Sequence, residues 1–179
     1  MSFDNFDRSE KRVSRIHGDC EGCCNNKNNH KGLQVPQQPV GTGLPGFAYI
    51  YDTTAQVIPA NGQVTFNTNG NITPAGFVTH VTGTAPITIN KTGIYLIIYE
   101  VTVIVGPYAF ALFNGDNQIA GSNYGGLPNT ETQNGQVITS LNELDVLSLR
   151  NIFTGPKNLV SIVSGIPVIS ASIVILRLA

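Results

Sequence analysis

The sequence predicts an all-β fold, and three features of residues 47–179 carry that prediction. Short runs rich in Val, Ile, Tyr and Phe recur along this part of the chain, and many of them alternate apolar and polar residues as half-buried strands do. Turn residues separate the runs, with Asn-Gly at 61–62 and 69–70, "GGLPN" at 125–129 and "TGPKN" at 154–158. No window has the spacing of an amphipathic helix. Ten or so short strands at this spacing indicate a β-sandwich or barrel.

The predicted strands follow one another from the start of this region to the end of the chain. Their ranges are 47–51, 63–67, 77–81, 87–89, 94–105, 108–114, 118–124, 135–141, 145–152, 159–164 and 170–178. The chain ends directly on the last of these runs, "SIVILRLA". We therefore expect the final strand to lie centrally in a sheet.

Charge and composition divide the chain into three zones. Residues 1–32 hold six of the ten Lys/Arg and five of the eleven Asp/Glu, and they lack apolar periodicity, so disorder or folding upon binding is expected there. Residues 33–46, "LQVPQQPVGTGLPG", are predicted to be an extended Pro/Gly linker. Residues 47–179 form the predicted folded domain.

The composition argues against several functional classes. A net charge of −1 gives no electrostatic attraction to nucleic acid or to an anionic membrane surface. The N-terminus has no apolar region typical of a signal peptide, and the apolar runs fall short of the ~18–20 residues that span a bilayer. The folded region is poor in charge, and a surface of Thr, Asn, Gly, Gln and Ser favours a displayed or assembled protein.

All three cysteines lie in one short stretch, "HGDCEGCCNN", at Cys20, Cys23 and Cys24. Zinc could use them together with His17 and His30, but no second Cys-x2-Cys pair is present and the two adjacent cysteines are awkward ligands for one ion. A redox site would need a strand and a helix start around the pair. The thiols could also be unpaired and incidental. Because an odd number of cysteines on a flexible arm can pair fully only between chains, interchain disulfides are the favoured interpretation.

Catalytic residues are not evident. His80 is the sole imidazole of the predicted domain and has no obvious partner, so a structural role is expected. Five acids, also without catalytic spacing, are interpreted mainly as turn residues: Asp52, Asp116, Glu131, Glu143 and Asp145. The Asn71 and Asn90 sequons matter only in a glycosylating host. The sequence predicts no enzyme, no cofactor and no metal site.

Several stretches resemble a known family. They are "GFAYIYDTTAQVIPANGQVTFNTNGNITPAGFVTHVTGTAPITINKTGIYLIIYEV", "FALFNGDNQIAGSNYGG", "TQNGQVITSLNELDVLSLRN" and the ending "ASIVILRLA". Together they resemble the C-terminal domain of the collagen-like exosporium glycoproteins of Bacillus spores, which is similar in fold to the C1q and tumour-necrosis-factor jelly rolls. The likeness covers about residues 44–179.

The resemblance implies a ten-stranded jelly roll that forms a tight homotrimer on the spore surface. Family members place a long Gly-X-Y stalk before the domain, whereas this chain has only "GTGLPG" at 41–46. The polar arm of residues 1–32 stands in place of that stalk.

These observations favour a structural subunit of a spore-surface fibre or appendage. Trimers would stack head to tail through their N-terminal arms, with Phe3 and Phe6 as apolar anchors and the cysteines as crosslinks. The partners would be further copies of the chain and other exosporium or filament proteins. Two alternatives remain: a C1q-like binding head that uses loops 68–76 and 124–134, and an anchor that tethers other spore filaments.

Overall fold

The computed structural model describes residues 43–104, 106–127 and 132–179, and every regular element in these ranges is a β-strand. The all-β prediction is confirmed for this part of the chain. The strands in chain order are β1 (Gly46–Asp52), β2 (Gln56–Ile58), β3 (Thr68–Thr73), β4 (Val78–His80), β5 (Ile87–Ile89), β6 (Gly93–Thr102), β7 (Tyr108–Asn114), β8 (Asn117–Gln118), β9 (Tyr124–Gly126), β10 (Thr132–Leu141), β11 (Val146–Asn151), β12 (Lys157–Leu159), β13 (Ile162–Val163), β14 (Ile166–Pro167) and β15 (Ala171–Arg177).

Two antiparallel sheets form the body of the fold. The five-stranded sheet has the order β10-β6-β15-β1-β3, and the six-stranded sheet has the order β4-β5-β11-β7-β8, with β9 also paired to β7. Two short pairs, β2–β12 and β13–β14, lie outside these sheets. The described strands thus form a sandwich rather than a closed barrel.

The core lies between the inner faces of the two sheets. Strand β6 alternates strictly, burying Tyr95, Ile97, Tyr99 and Val101 while the residues between them face outward. The six-stranded sheet contributes large buried side chains to the same cluster, among them Phe110, Leu112, Leu147 and Leu149. Burial of each such side chain contributes about 1.5–3 kcal/mol to the free energy of unfolding.

The final strand occupies the middle of its sheet, as the sequence predicts. Strand β15 pairs with β6 on one side and with β1 on the other. Its end is held by two backbone hydrogen bonds, from Leu178 N to the Ile94 carbonyl at 2.7 Å and from Ile94 N to the Ala179 carbonyl at 3.0 Å. The last residues of the chain therefore belong to the folded structure.

The register of these strands defines two ends of the sandwich. At the proximal end, Gly46 pairs with Arg177, which pairs with Tyr95. At the distal end, Asp52 pairs with Ala171, which pairs with Val101. The chain enters the fold at the proximal end, one residue before the predicted domain start at 47, and β1 runs toward the distal end.

Strand boundaries differ from the sequence prediction in several places. Residues 68–73 form β3, so the predicted turn at Asn69-Gly70 and the predicted loop over 68–76 are wrong. Residues 63–67 form only isolated bridges rather than a strand, and β2 and β14 are not predicted. The structure divides the described chain into fifteen mostly short strands, against about ten predicted.

A close backbone approach explains the error at β3. A Cβ atom on Gly70 would lie 2.9 Å from the Tyr49 carbonyl oxygen, so the glycine is needed where β3 packs against β1. Strand β3 is also an edge strand, and edge strands tolerate polar residues such as Asn69 and Asn71.

Candidate self-association surface

The outer face of the five-stranded sheet is unusually apolar. Antiparallel sheets commonly present polar residues on the face that does not cover the core. Here the outward positions of four adjacent strands carry large apolar side chains that remain partly or largely exposed: Phe47, Tyr49 and Tyr51 on β1, Ile94, Leu96 and Ile98 on β6, Ile138 on β10, and Val174 and Leu176 on β15. We call these nine residues the outer apolar face.

Strand register makes this face continuous. Leu96 of β6 lies opposite Ile138 of β10 on one side and opposite Leu176 of β15 on the other. Leu176 in turn pairs with Phe47 of β1. Directly opposed side chains in a sheet lie within contact distance, so the apolar surface extends across four strands without a polar gap. A continuous apolar patch of this kind marks an interaction surface.

The two sides of the outer apolar face differ in shape. On the β1 side, the rings of Tyr49 and Tyr51 stack with their centroids 5.1 Å apart and form an aromatic ridge. On the β10 side, a groove of about 500 Å³ opens at the sheet edge, lined by Leu96, Tyr124, Gln136, Val137 and Ile138. A ridge at one side and a groove at the other suit a contact between unlike surfaces of two copies.

A buried tyrosine, Tyr99, holds the groove side in place. Tyr99 lies under β10, and its hydroxyl oxygen is 2.8 Å from the Phe110 carbonyl and 2.9 Å from the Ser122 carbonyl. Burial is the largest influence on this phenol and raises its pKa well above the usual range. Its ring packs edge-on against Tyr124 with centroids 6.4 Å apart. Tyr99 thus connects the two sheets beneath the groove.

His80 has the structural setting that the sequence predicts. Its Nδ1 lies 2.6 Å from Asn69 Oδ1 and its Nε2 lies 3.0 Å from the Thr84 carbonyl. The ring also packs edge-on against Phe66, and the residue is buried. The Asn69 contact links β4 to β3 and the Thr84 contact holds the loop after β4, so both ring nitrogens have structural contacts.

The predicted acidic turn residues differ in burial: Asp52 is buried, Asp145 is partly buried, and Asp116 and Glu143 are exposed. Asp52 is buried at the end of β1 and accepts hydrogen bonds from Thr54 N, Thr54 Oγ1 and Gln56 Nε2 at 2.5–2.6 Å. Asp145 accepts from Asn142 N at 2.8 Å in a tight turn, as predicted, and exposed Asp116 lies 3.4 Å from Arg150. Asp52 is therefore a buried strand residue that fixes the following loop rather than a turn residue on the surface.

Several predicted sites lie outside the described residues. They are the cysteines Cys20, Cys23 and Cys24, the zinc alternatives His17 and His30, the anchors Phe3 and Phe6, and Glu131. Of the two sequons, Asn71 is exposed, whereas the Asn90 Nδ2 donates to the Gly76 carbonyl at 2.9 Å and to Thr79 Oγ1 at 2.8 Å. Within the described ranges, no group of three His, Cys, Asp or Glu residues is placed to hold a metal ion, and no helix is long and apolar enough to cross a membrane.

Sequence reasoning missed which residues form the outer apolar face. The signal was available in "GIYLIIYEV", where the outward positions of an alternating strand are apolar as well as the inward ones. Such a run predicts burial on both faces, but only the register shows that its outward residues meet those of β15 and β10.

Comparisons with solved structures identify the fold. The globular domain of the zebrafish complement 1qA protein matches with a TM-score of 0.53 at 12% identity, over 73% of this chain and 94% of that chain. Eiger TNF from S. frugiperda matches with a TM-score of 0.52 at 13% identity, over 74% and 92%. The PRD1 vertex protein P5 matches with a TM-score of 0.51 at 17% identity, over 76% and 99%.

No protein-family model and no curated protein matches the chain. At the identities of the three solved structures, the likeness concerns the fold and not the function. Together with the two antiparallel sheets, it supports one conclusion: the chain adopts a C1q/TNF-like jelly roll.

Proposed function

We propose that this chain is a self-assembling structural subunit whose jelly rolls form a homotrimer through the outer apolar face. The observation that carries the proposal is the apolar surface that extends across β10, β6, β15 and β1. Burial of this surface against other copies supplies the hydrophobic free energy that association requires.

A closed ring fits the shape of this surface. The aromatic ridge of Tyr49 and Tyr51 lies at the β1 side, and the groove beside Ile138 lies at the β10 side. When the ridge of one copy packs into the groove of the next, the contact is heterologous, and such contacts close into a ring when the rotation permits. The resemblance to the exosporium domain implies that the ring has three members.

The proposed location and higher assembly rest on the resemblance and on the N-terminal sequence. The chain resembles a domain displayed on Bacillus spores, and it carries a polar arm where that family has a collagen stalk. We therefore propose a location on the spore surface, where the protein would be a subunit of an exosporium fibre or appendage and the arms of residues 1–32 would connect successive trimers.

Ile138→Asp tests the trimer. Ile138 is 64% exposed, so a carboxylate at this position should leave the isolated fold intact but place a charge inside the interface. We expect native mass spectrometry to find trimers of the wild-type chain and monomers of this variant. The matched control is Val81→Asp, because Val81 is 65% exposed and lies beyond the end of β4, away from the outer apolar face. A trimeric Ile138→Asp variant would contradict the proposal.

Removal of residues 1–32 tests the role of the arm. The truncated chain retains the whole outer apolar face and should remain trimeric, while negative-stain electron microscopy should find fibres only with the full-length chain. Fibres formed by the truncated chain would overturn the connector role without affecting the trimer.

A further inference from the structure

A second apolar groove lies at the distal end of the sandwich. It has a volume of about 350 Å³ and is lined by Ala55, Gln56, Val57, Ile104, Asn158, Leu159, Val160, Ser161 and Ile162. Val57 is 70% exposed on its rim, although β2 holds this residue in an ordered strand. The volume falls within the range of roughly 300–1,000 Å³ that is typical of sites for small ligands, so an aromatic side chain fits.

Backbone hydrogen bonds fix this distal groove rigidly to the fold. Ile104 N donates to the Asn158 carbonyl at 3.1 Å, and Val160 N donates to the Thr102 carbonyl at 3.0 Å. Strand β2 pairs in register with β12 across the same region, with Val57 opposite Asn158. The distal groove is therefore a preformed feature rather than a gap between mobile loops.

An apolar hairpin extends the surface beside the groove. Strands β13 and β14 are joined by Ser164 and Gly165, both with positive φ (50° and 83°), which is the geometry of a tight two-residue hairpin turn. Ile162 and Ile166 on this hairpin are 62% and 66% exposed. Exposed apolar residues on a hairpin and on a groove rim together form a surface that a partner can cover.

The position of the distal groove indicates which partner covers it. Strand β1 has seven residues and runs from the proximal end to the distal end, a distance of about 20 Å at the rise of an extended strand. The residues that precede Gly46 therefore join the fold at the end opposite the groove. In copies stacked in one direction, the point where the chain enters the fold of one copy faces the distal end of the next copy.

The N-terminal arm contains suitable apolar anchors. The sequence before Gly43 has 42 residues, and its first segment, "MSFDNFD", places Phe3 and Phe6 three positions apart in an otherwise polar stretch. Fully extended, the 42 residues before Gly43 span up to about 150 Å, which is long enough to reach the distal groove of a neighbouring copy. An aromatic side chain from such a segment is the kind of group that an apolar groove binds.

We infer that the distal groove between Val57, Ile104 and Ile162 receives the N-terminal segment of another copy, with Phe3 or Phe6 as the buried anchor. This inference rests on the proposed function, and it specifies the acceptor site for head-to-tail assembly. Because the chain enters the fold at the end opposite the acceptor groove, the contact repeats along an axis and does not close.

Val57→Asp tests the acceptor site, with Val81→Asp again as the matched control. A carboxylate in the groove should reduce the yield of fibres by about tenfold or more, because the ring of Phe3 or Phe6 would then contact a charged group instead of an apolar side chain. Trimers should persist in native mass spectrometry, because Val57 is not on the outer apolar face. Wild-type fibre yield from Val57→Asp trimers would overturn the assignment of the groove. Monomers of the wild-type chain would instead contradict the proposed trimer, so the two failures are distinguishable.

A photo-crosslinker at position 6 identifies the occupant directly. Full-length trimers that carry p-benzoylphenylalanine in place of Phe6 are prepared in isotopically heavy form and mixed with light trimers. We expect heavy–light crosslinks to peptides that contain Val57, Ile104 or Ile162. Crosslinks to other regions of the chain would overturn the assignment of the groove. Crosslinks confined to one isotope would mean that the arm docks within its own trimer, which would contradict head-to-tail docking. An absence of crosslinks would also contradict the inference.

Discussion

At the scale of single residues, close contacts determine which positions must be glycine. Gly135 of β10 lies directly against the ring of Tyr99, and a Cβ atom at this position would overlap the ring. The ring is unable to move away freely, since the Tyr99 hydroxyl is in hydrogen-bonding contact with the Phe110 and Ser122 carbonyls. One glycine thus allows the edge strand beside the proposed trimer groove to pack on the core.

Gly135→Ala should destabilise the fold by about 1–3 kcal/mol, the usual cost of overpacking a core site. Gly155→Ala is the control, because a Cβ atom at Gly155 meets nothing within 4 Å and this residue does not have a positive φ. The control should change the free energy of unfolding by less than about 0.5 kcal/mol or raise it slightly. Urea denaturation of both variants measures the difference, and equal stabilities would show that Tyr99 relaxes without cost.

At the scale of elements, long apolar strands were predictable and short polar ones were not. The runs at 94–105 and 170–178 predict β6 and β15 because their nearly continuous Val, Ile, Leu and Tyr content is typical of buried strands. Strand β3 carries "TNGNIT", whose local preference is for turns, and it becomes a strand only because β1 offers a pairing edge. Tertiary pairing overrides local preference there.

For the same reason, the positions of the two candidate surfaces could not be predicted from the sequence. An excess of apolar residues predicts that some face must be covered, but not which one. The distal groove combines Val57, Ile104 and Ile162, which are separated by tens of residues in the chain. Only the pairing of β2 with β12 and the hydrogen bonds around Thr102 bring these segments together.

Two elements near the C-terminus should differ sharply in their importance for folding. Strand β15 has neighbours on both sides, so removal of residues 171–179 should abolish the cooperative thermal unfolding transition. Strands β13 and β14 pair with each other, outside both main sheets, so replacement of 162–167 by a short Gly/Ser turn should leave that transition nearly unchanged. Circular dichroism melting curves test both variants. A folded chain without β15 would contradict the central role of the last strand.

At the scale of the whole molecule, the distribution of charge and apolar surface is consistent with the proposed assembly. Residues 33–179 hold four of the ten Lys/Arg and six of the eleven Asp/Glu of the chain. Low charge would weaken the electrostatic repulsion between copies in the proposed stack. In the proposed assembly, the outer apolar face would serve ring closure and the distal groove would serve axial growth.

Cysteines on the arm would then stabilise an assembly that other contacts have already formed. Because each chain carries three thiols, one thiol per chain stays unpaired unless it bonds to another chain. Simultaneous replacement of Cys20, Cys23 and Cys24 by serine should leave trimers and fibres able to form, since neither apolar surface includes these residues. The resulting fibres should dissociate in denaturant at concentrations that oxidised wild-type fibres withstand, and reductant should make the wild-type fibres equally labile. Electron microscopy after denaturant treatment measures this difference, with serine replacements of Asn25 and Asn26 as the control. Wild-type fibres that resist reductant fully would contradict the crosslink, and fibres that dissociate on zinc chelation instead would favour the metal site.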